Sequence, residues 1–244
     1  MRMTALGSLS RVLMLVGTLL AVTNSPRSAR AQGSTLTVVI DPGHPSEVSS
    51  GDVRQNGTSE VRIAWQVALR LARLLRADGY RVVLTKPTER TMVTNVARAQ
   101  IGNANHATLV VRLHCDAGSD SGYAIYHPDR KGTAHGRTGP SDDVMQWSAA
   151  AAESLHVSMA MMLAGKLRDG GVRGDSKSFV GGTQGALTGS IFSEVPVVLV
   201  EMATLSNAND AAFIKSVRGQ SLMALAIAHG VGRYVPASNS PRVR

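Results

Sequence analysis

Residues 38–44 read Val38-Val39-Ile40-Asp41-Pro42-Gly43-His44. The β-branched run predicts a buried strand, because such side chains pack well in a sheet, and Asp-Pro-Gly ends that strand abruptly. A histidine follows at the end of the strand, where a side chain can reach a ligand at the sheet edge. The stretch therefore predicts both a central strand and a candidate metal ligand.

Three further polar residues occupy comparable places along the chain. Glu60 begins a helical pattern, His114 ends a second apolar strand and Glu201 ends a third. The carboxyl ends of parallel strands meet at one edge of a sheet, so we expect these side chains and His44 to lie close together. Two histidines and one glutamate form a ligand set of hydrolytic zinc sites, which keep a fourth position for water, and a second glutamate supplies a general base.

Each of these residues has a simpler interpretation when it is considered alone. His44 suits a turn, Glu60 suits a helix start because of the helix dipole, and His114 suits a hydrogen-bonded core histidine. Glu201 is harder to explain structurally, because a carboxylate after Val-Val-Leu-Val is costly to bury unless it is paired or near a metal. Asp41 is a further candidate, either as a ligand or as an acid that orients the imidazole of His44. The prediction of a metal centre therefore depends on the four residues as a group.

The rest of the chain alternates between strand and helix patterns. Strands are predicted at 35–40, 80–85, 108–114, 123–126 and 196–201, and helices at 60–78, 92–104, 146–168 and 209–234. Two polar, glycine-containing segments, 127–143 and 169–185, are predicted as long loops. This alternation predicts a single α/β domain, with a mostly parallel sheet of about six strands and helices on both faces.

The first 31 residues have the pattern of a secretory signal peptide. Arg2 and Arg11 precede an apolar run at 12–22, and Ala29-Arg30-Ala31 is an A-x-A cleavage site. An apolar run of this length is short for a bilayer span, although an uncleaved anchor is the alternative. We therefore expect a signal peptide at 1–31, a catalytic domain at 32–235 and a disordered tail at 236–244. The mature protein is expected to be exported, periplasmic or secreted, without a stable membrane anchor.

Charge and cysteine content narrow the partners and the chemistry. The net charge is +9, and removal of four arginines with the signal (Arg2, Arg11, Arg27 and Arg30) leaves +5, which favours an anionic partner such as an envelope polymer. Nucleic acid is not expected, because the chain has no dense basic block interleaved with aromatics and carries an export signal. Cys115 is the only cysteine, and its place beside His114 in a strand predicts that it faces away from the site.

Taken together, several segments resemble the zinc-dependent N-acetylmuramoyl-L-alanine amidases of bacterial cell-wall hydrolysis, the amidase type 3 family, from about Thr37 to Tyr234. The segments that carry this resemblance are 39–44, Glu60, 79–85, Arg98, Asn103, 113–117, 196–201 and 205–207. One departure is Pro45-Ser46, because the family usually has glycines directly after the first histidine, and this difference bears on the shape of the loop.

The resemblance implies a role for each candidate residue. His44, Glu60 and His114 would bind Zn²⁺, and Glu201 would be the catalytic acid and base. The substrate would be peptidoglycan, cut at the amide between the lactyl group of N-acetylmuramic acid and L-alanine. A zinc peptidase that cuts within the stem peptide is an alternative with the same metal chemistry. An inactive wall-binding relative is another, although all four positions are filled. The sequence shows no separate wall-binding domain, so targeting would depend on the basic domain or on a partner protein such as an activator.

Overall fold

The computed structural model describes residues 36–234. The predicted signal peptide (1–31) and the predicted tail (236–244) lie outside the described residues, as do residues 32–35 and 235 of the predicted catalytic domain.

The described chain contains a six-stranded sheet with helices on both of its faces. The strands are β1 (Thr37–Pro42), β2 (Arg81–Leu84), β3 (Leu109–Asp116), β4 (Tyr123–His127), β5 (Gly132–Ala134), β6 (Arg137–Gly139), β7 (Asp169–Gly174) and β8 (Val197–Thr204). The helices are α1 (Glu60–Ala77), α2 (Asn95–Ala104), α3 (Asp142–Leu163), α4 (Phe179–Gln184), α5 (Thr188–Ile191), α6 (Ala208–Lys215) and α7 (Val217–Arg233). The main sheet has the order β2-β1-β3-β8-β4-β7.

The first four strands of that order are parallel, whereas β4 runs antiparallel to β8 and β7 runs parallel to β4. The predicted mostly parallel α/β architecture of about six strands is therefore confirmed. Because β4 and β7 are reversed, their amino ends lie at the edge where β1, β3 and β8 have their carboxyl ends. Beyond β8, the sheet thus continues with two strands whose amino ends lie beside the predicted site.

The two faces of the sheet differ in how they are covered. One face packs against α1, α3 and α7 in a single large aliphatic core, which includes Ile40, Leu71, Val111, Leu155 and Val200. The other face carries only small apolar clusters, which are covered by α2 and by the segment that contains α5. Because successive residues of a strand alternate between faces, Asp41, His114 and Glu201 lie on the less apolar face.

Helix α1 begins at Glu60, the predicted residue. The segment is helical because its apolar positions recur at helical spacing. Val61, Ala64, Ala68, Leu71 and Leu75 are all fully buried on one side of it. It ends before Gly79, whose positive φ of 90° suits glycine at a helix terminus. Leu69 lies away from this buried side and is 41% exposed.

The two segments predicted as long loops contain regular structure, so that prediction was wrong. The first, 127–143, contains the β5–β6 hairpin, and α3 begins at Asp142. The second, 169–185, contains strand β7 and helix α4. Strand β7 has the sequence Asp-Gly-Gly-Val-Arg-Gly, and its low strand propensity is overcome by pairing with β4 at the sheet edge.

The last predicted helix is two helices. It divides at Ser216, whose hydroxyl accepts a hydrogen bond from the backbone N–H of Gly219 and so caps the start of α7. Within residues 36–234, none of the helices is both long and apolar enough to cross a membrane.

Helices α3 and α7 cross at a glycine, which makes their packing testable. A Cβ atom on Gly230 would lie 2.6 Å from the Cα of Leu155, so Gly230→Ala must push the two helices apart. We expect it to lower the free energy of unfolding by about 1–3 kcal/mol, measured by urea denaturation. The matched control is Gly232→Ala on the same helix, where a Cβ meets nothing within 4 Å. That change should be neutral or stabilising by up to about 1 kcal/mol, and equal losses in both variants would contradict the packing argument.

Candidate metal centre

The four predicted site residues meet at one edge of the sheet. Strand β1 stops at Pro42, and the N–H of Gly43 donates to the carbonyl of Leu113 at 2.9 Å, so His44 follows directly beside the end of β3. His114 and Glu201 are register partners on the adjacent strands β3 and β8. Both strands run a few residues further than predicted, so these two residues lie near the ends of their strands rather than at them.

Glu60 bridges the two histidines. Its Oε1 lies 2.7 Å from Nδ1 of His114, and its Oε2 lies 3.1 Å from Nε2 of His44. The backbone N–H of Cys115 also donates to Oε1 at 3.2 Å, and the two imidazole rings meet edge to face at 5.1 Å between centroids. The first residue of α1 thus reaches across the sheet edge and holds both rings in one small cluster.

This cluster fits a zinc ion by its donor set and its spacing. One ligand atom from each of His44, Glu60 and His114 can be chosen so that all lie within 4.8 Å of one another. Ligands of a tetrahedral zinc lie about 3.4 Å apart, given bonds of roughly 2.1 Å, so only small side-chain shifts are needed. Within the described residues, Nε2 of His114 is buried without a hydrogen-bond partner, as is Oε2 of Glu201. Buried polar atoms normally have a partner, so both atoms are suited to bonding a ligand at this end of the sheet.

The surroundings impose opposite charge preferences on the two glutamates. Burial would raise the pKa of Glu60, but its hydrogen bonds to His114 and His44 outweigh burial and lower the pKa well below its usual range. Burial raises the pKa of Glu201 well above its usual range, and the nearby carboxylates of Glu60 and Asp116 raise it further. Glu60 is therefore a stable anion suited to a cation, whereas Glu201 is suited to taking up a proton.

The two histidines also differ. Burial is the largest influence on His114 and lowers its pKa, although the hydrogen bond to Glu60 opposes this. Burial would lower the pKa of His44 as well, but the hydrogen bond and charge of Glu60 outweigh it, so that pKa is raised. A neutral imidazole is the form that binds metal, and His114 is held in that form most strongly.

The loop that contains His44 and Pro45-Ser46 is held in place by hydrogen bonds. His44 itself adopts a positive φ of 54°, an uncommon conformation for a residue with a side chain. Its Nδ1 contacts the carbonyl of Ser49 at 3.1 Å, its own carbonyl accepts from the buried ammonium of Lys86, and the carbonyl of Pro45 accepts from Arg98 at 2.8 Å. These contacts leave Nε2 of His44 directed at Glu60.

The sequence suggested that Asp41 binds the metal or orients the imidazole of His44. In the structure its carboxylate does neither. Its fully buried carboxylate accepts hydrogen bonds from Arg98, from Arg112 at 3.1 Å and from the hydroxyl of Thr85 at 2.5 Å. Burial would raise the pKa of Asp41, but the two guanidinium groups and Thr85 outweigh it and lower the pKa far below its usual range. Asp41 therefore acts on the site indirectly, through the arginine that holds the His44 loop.

Sequence analysis did not identify the supporting roles of Lys86 and Arg112. Arg112 interrupts the otherwise apolar strand β3, and a buried charge requires a partner, so its position was a signal that pointed to Asp41. Lys86 gave no comparable signal, because it follows the predicted second strand in a polar context. Its role depends on the tertiary fold, which places its ammonium under the carbonyls of Gly43 and His44.

The single cysteine and the other histidines are not members of the candidate metal cluster. Cys115 is buried, as expected from strand alternation. Within the described residues, only one cluster brings together three or more His, Cys, Asp or Glu side chains that could hold a metal ion. It consists of His44, Glu60 and His114. In the hairpin region, the ring of His135 lies tilted against that of Phe192, with 6.2 Å between the ring centroids.

The backbone passes unusually close to His114 at Gly43. A Cβ atom on Gly43 would lie 2.6–2.8 Å from three atoms of the His114 ring. Gly43→Ala should therefore displace this imidazole and weaken zinc binding by about 10–100-fold, the range for residues that orient metal ligands. Competition with a chelating indicator measures the affinity. Gly182→Ala, where the added Cβ makes an ordinary contact of 3.6 Å, is the control. Unchanged affinity in Gly43→Ala would show that the ring position does not matter for binding.

Comparison with known proteins identifies the family of the chain. Residues 38–233 match the family described as N-acetylmuramoyl-L-alanine amidase, amidase type 3. The chain is 26% identical to the N-acetylmuramoyl-L-alanine amidase Rv3717 of Mycobacterium tuberculosis, over 94% of this chain and 100% of that one.

Solved structures show a similar fold. The amidase AmiC2 of Nostoc punctiforme has a TM-score of 0.65 at 23% identity, covering 82% of this chain and 96% of that one. The CwlD amidase of Clostridioides difficile, solved in complex with the GerS lipoprotein, has a TM-score of 0.60 at 20% identity, covering 82% and 98%. With the family match spanning nearly all of the described domain, the chain belongs to the amidase type 3 family of N-acetylmuramoyl-L-alanine amidases, which hydrolyse an amide of cell-wall peptidoglycan.

Proposed function

We propose that this chain cuts the amide between N-acetylmuramic acid and L-alanine with a zinc ion held by His44, Glu60 and His114, and with Glu201 as the general base and acid. The observation that carries the proposal is the pair of buried, unpartnered atoms, Nε2 of His114 and Oε2 of Glu201, beside a two-histidine, one-glutamate cluster. Burial of such atoms is costly unless a ligand or water bonds them.

Each side chain has a distinct task in this proposal. Zinc, when bound, would polarise the scissile carbonyl and make a water acidic enough to attack at neutral pH. Glu201 accepts the proton of the attacking water and then donates it to the leaving amine of L-alanine. Its raised pKa, caused first by burial, favours this donation because the group holds a proton readily. Glu60 stays ionised, and its two oxygens lie beside the two imidazoles with which it would share the ion.

The identity of the scissile bond is tested by the products. Purified peptidoglycan, incubated with the mature protein with and without zinc, should release intact stem peptides with a free L-alanine amino end, detected by mass spectrometry. Zinc-dependent fragments cut inside the stem would favour the peptidase alternative. Bound zinc without any product would favour a wall-binding protein or the need for an activator.

The role of Glu201 predicts a separation of turnover from metal binding. Glu201→Gln should lower kcat by at least about 100-fold, because general acid–base catalysis typically contributes that much, while the zinc content of the protein stays the same. The folded protein should lose no stability, since the change removes a costly buried acid and keeps its shape.

The matched control is Glu194→Gln, which removes an exposed glutamate paired with Arg137. It should change neither kcat nor zinc content. Near-normal turnover in Glu201→Gln would exclude the proposed role.

Export and a protein partner extend the proposal. A signal peptide at 1–31 would deliver the domain to the periplasm or the exterior, where its substrate lies. The CwlD structure contains a lipoprotein partner, and we propose that an activator is worth including in the product assay for this chain. Secretion is tested by sequencing the amino terminus of the mature protein, which should begin near Gln32.

A further inference from the structure

A row of side chains leads from the candidate metal centre across the reversed strands. On adjacent strands, register partners share a face of the sheet. His114 pairs with Glu201, Glu201 pairs with Ala124 of β4, and Tyr126 of β4 pairs with Arg173 of β7. Arg173 therefore lies on the same face as the site, two strands beyond Glu201, which corresponds to about 10 Å across the sheet.

The guanidinium of Arg173 is fixed on one side and open on the other. Its Nε donates to the carbonyl of Gly170 at 3.1 Å, its Nη1 donates to the hydroxyl of Tyr126 at 3.3 Å, and its Nη2 lies 3.4 Å from Asp120. Its side chain is 32% exposed. Within the described chain, these contacts use three of the five N–H groups that an arginine carries, so the remaining two are available to a ligand.

The residues beside this guanidinium on β4 and β7 are small, and Gly170 is required there because a Cβ would collide with the carbonyl oxygen of Tyr123. A Cβ on Gly170 would lie 3.2 Å from Nη2 of Arg173 and 3.2 Å from the Cβ of Ala124. Glu201 and Arg173 both line one shallow, open groove on this face of the sheet.

The charged side chains of this groove are three carboxyl groups and one guanidinium. The carboxyl groups belong to Asp116, Asp120 and Glu201, and Arg173 is the only cation among the described lining residues. A substrate carboxylate near Asp116 would be repelled, whereas one near Arg173 would be attracted. The groove therefore favours a substrate whose negative charge lies several ångströms from the reacting bond.

We propose that Arg173 binds a carboxylate of the stem peptide, on the side of the scissile amide that leaves as the free amine. This inference rests on the proposed function. The sugars and the lactyl amide of an intact substrate are uncharged, so the anionic groups lie on the peptide. A carboxylate two residues along an extended peptide lies about 7 Å from the scissile bond, a separation that the groove can accommodate once the reach of the arginine is included. Arginine suits this task because its planar fork can hold a carboxylate with two hydrogen bonds.

The test compares two muropeptides that differ only at the second stem residue, which carries either a free α-carboxylate or the corresponding amide. With zinc-loaded protein, Arg173→Gln should raise KM for the carboxylate substrate about tenfold or more, the value of a hydrogen-bonded charge contact. It should leave kcat within about twofold and leave KM for the amide substrate unchanged. Arg173→Lys should restore part of the preference, because it keeps the charge and loses the fork.

The control is Arg168→Gln, which removes an equal charge that also contacts Asp120 but lies outside the groove lining. It should leave both KM values unchanged. Equal losses on both substrates in Arg173→Gln, or no loss on either, would overturn the proposal.

A binding measurement separates this proposal from the proposed function. In a Glu201→Gln background, calorimetric titration with the same two muropeptides compares their Kd values without turnover. Adding Arg173→Gln should weaken only the carboxylate ligand. An unchanged Kd would refute the subsite even in an active amidase. A selective loss would support the subsite, and if the protein with Glu201 intact and zinc bound cuts neither muropeptide even with an activator, the proposed reaction fails while the subsite stands.

Discussion

The buried carboxylate of Asp41 is the constraint on which the site depends. It lies at the end of β1 and accepts hydrogen bonds from α2, from β3 and from the end of β2, through Arg98, Arg112 and Thr85. A buried charge without partners is costly, so these elements must stay together for the sheet edge to exist at all. Arg98 then extends the same network to the carbonyls of Pro42 and Pro45, which flank the first candidate ligand. The hydrogen bonds of Asp41 and Arg98 therefore attach the loop that contains His44, which has no regular secondary structure, to the sheet.

Two glutamates at the same edge acquire opposite properties because their surroundings differ. Glu60 accepts from two imidazoles and a backbone N–H, and these contacts favour its anion despite burial. Glu201 lies in β8 with an unpartnered oxygen, and burial together with the charges of Glu60 and Asp116 disfavours its anion. A pair of carboxylates whose pKa values are driven apart is what acid–base chemistry beside a metal requires, since one must hold a cation and the other must exchange a proton.

The sequence predicted the centre of the domain better than its margins. Strands β1, β3 and β8 have continuous apolar runs and helix α1 has a regular apolar spacing, so local pattern and final structure agree there. The four candidate residues lie together as expected, because the ends of parallel strands converge at one edge of the sheet and the start of α1 lies beside them. The task of Asp41 was misjudged, because adjacency to His44 in sequence was taken as adjacency of side chains. Side chains in a strand alternate between the two faces of the sheet, and this alternation sets the direction of the Asp41 carboxylate. Its hydrogen-bond partners come from residues about 45 to 70 positions away in the sequence.

The strand that local pattern failed to predict has functional consequences. Strand β7 contains three glycines in six residues, so nothing in its composition indicates a strand, and it exists because β4 offers an unpaired edge. Gly170 lets β7 pack closely against Tyr123 of β4, and Arg173 supplies a cation two strands from Glu201. A loop at this place could present an arginine, but it could not fix its position relative to the reacting bond. The reversed pair of β4 and β7 thus extends the rigid surface beyond the metal centre, where a polymeric substrate needs to be held.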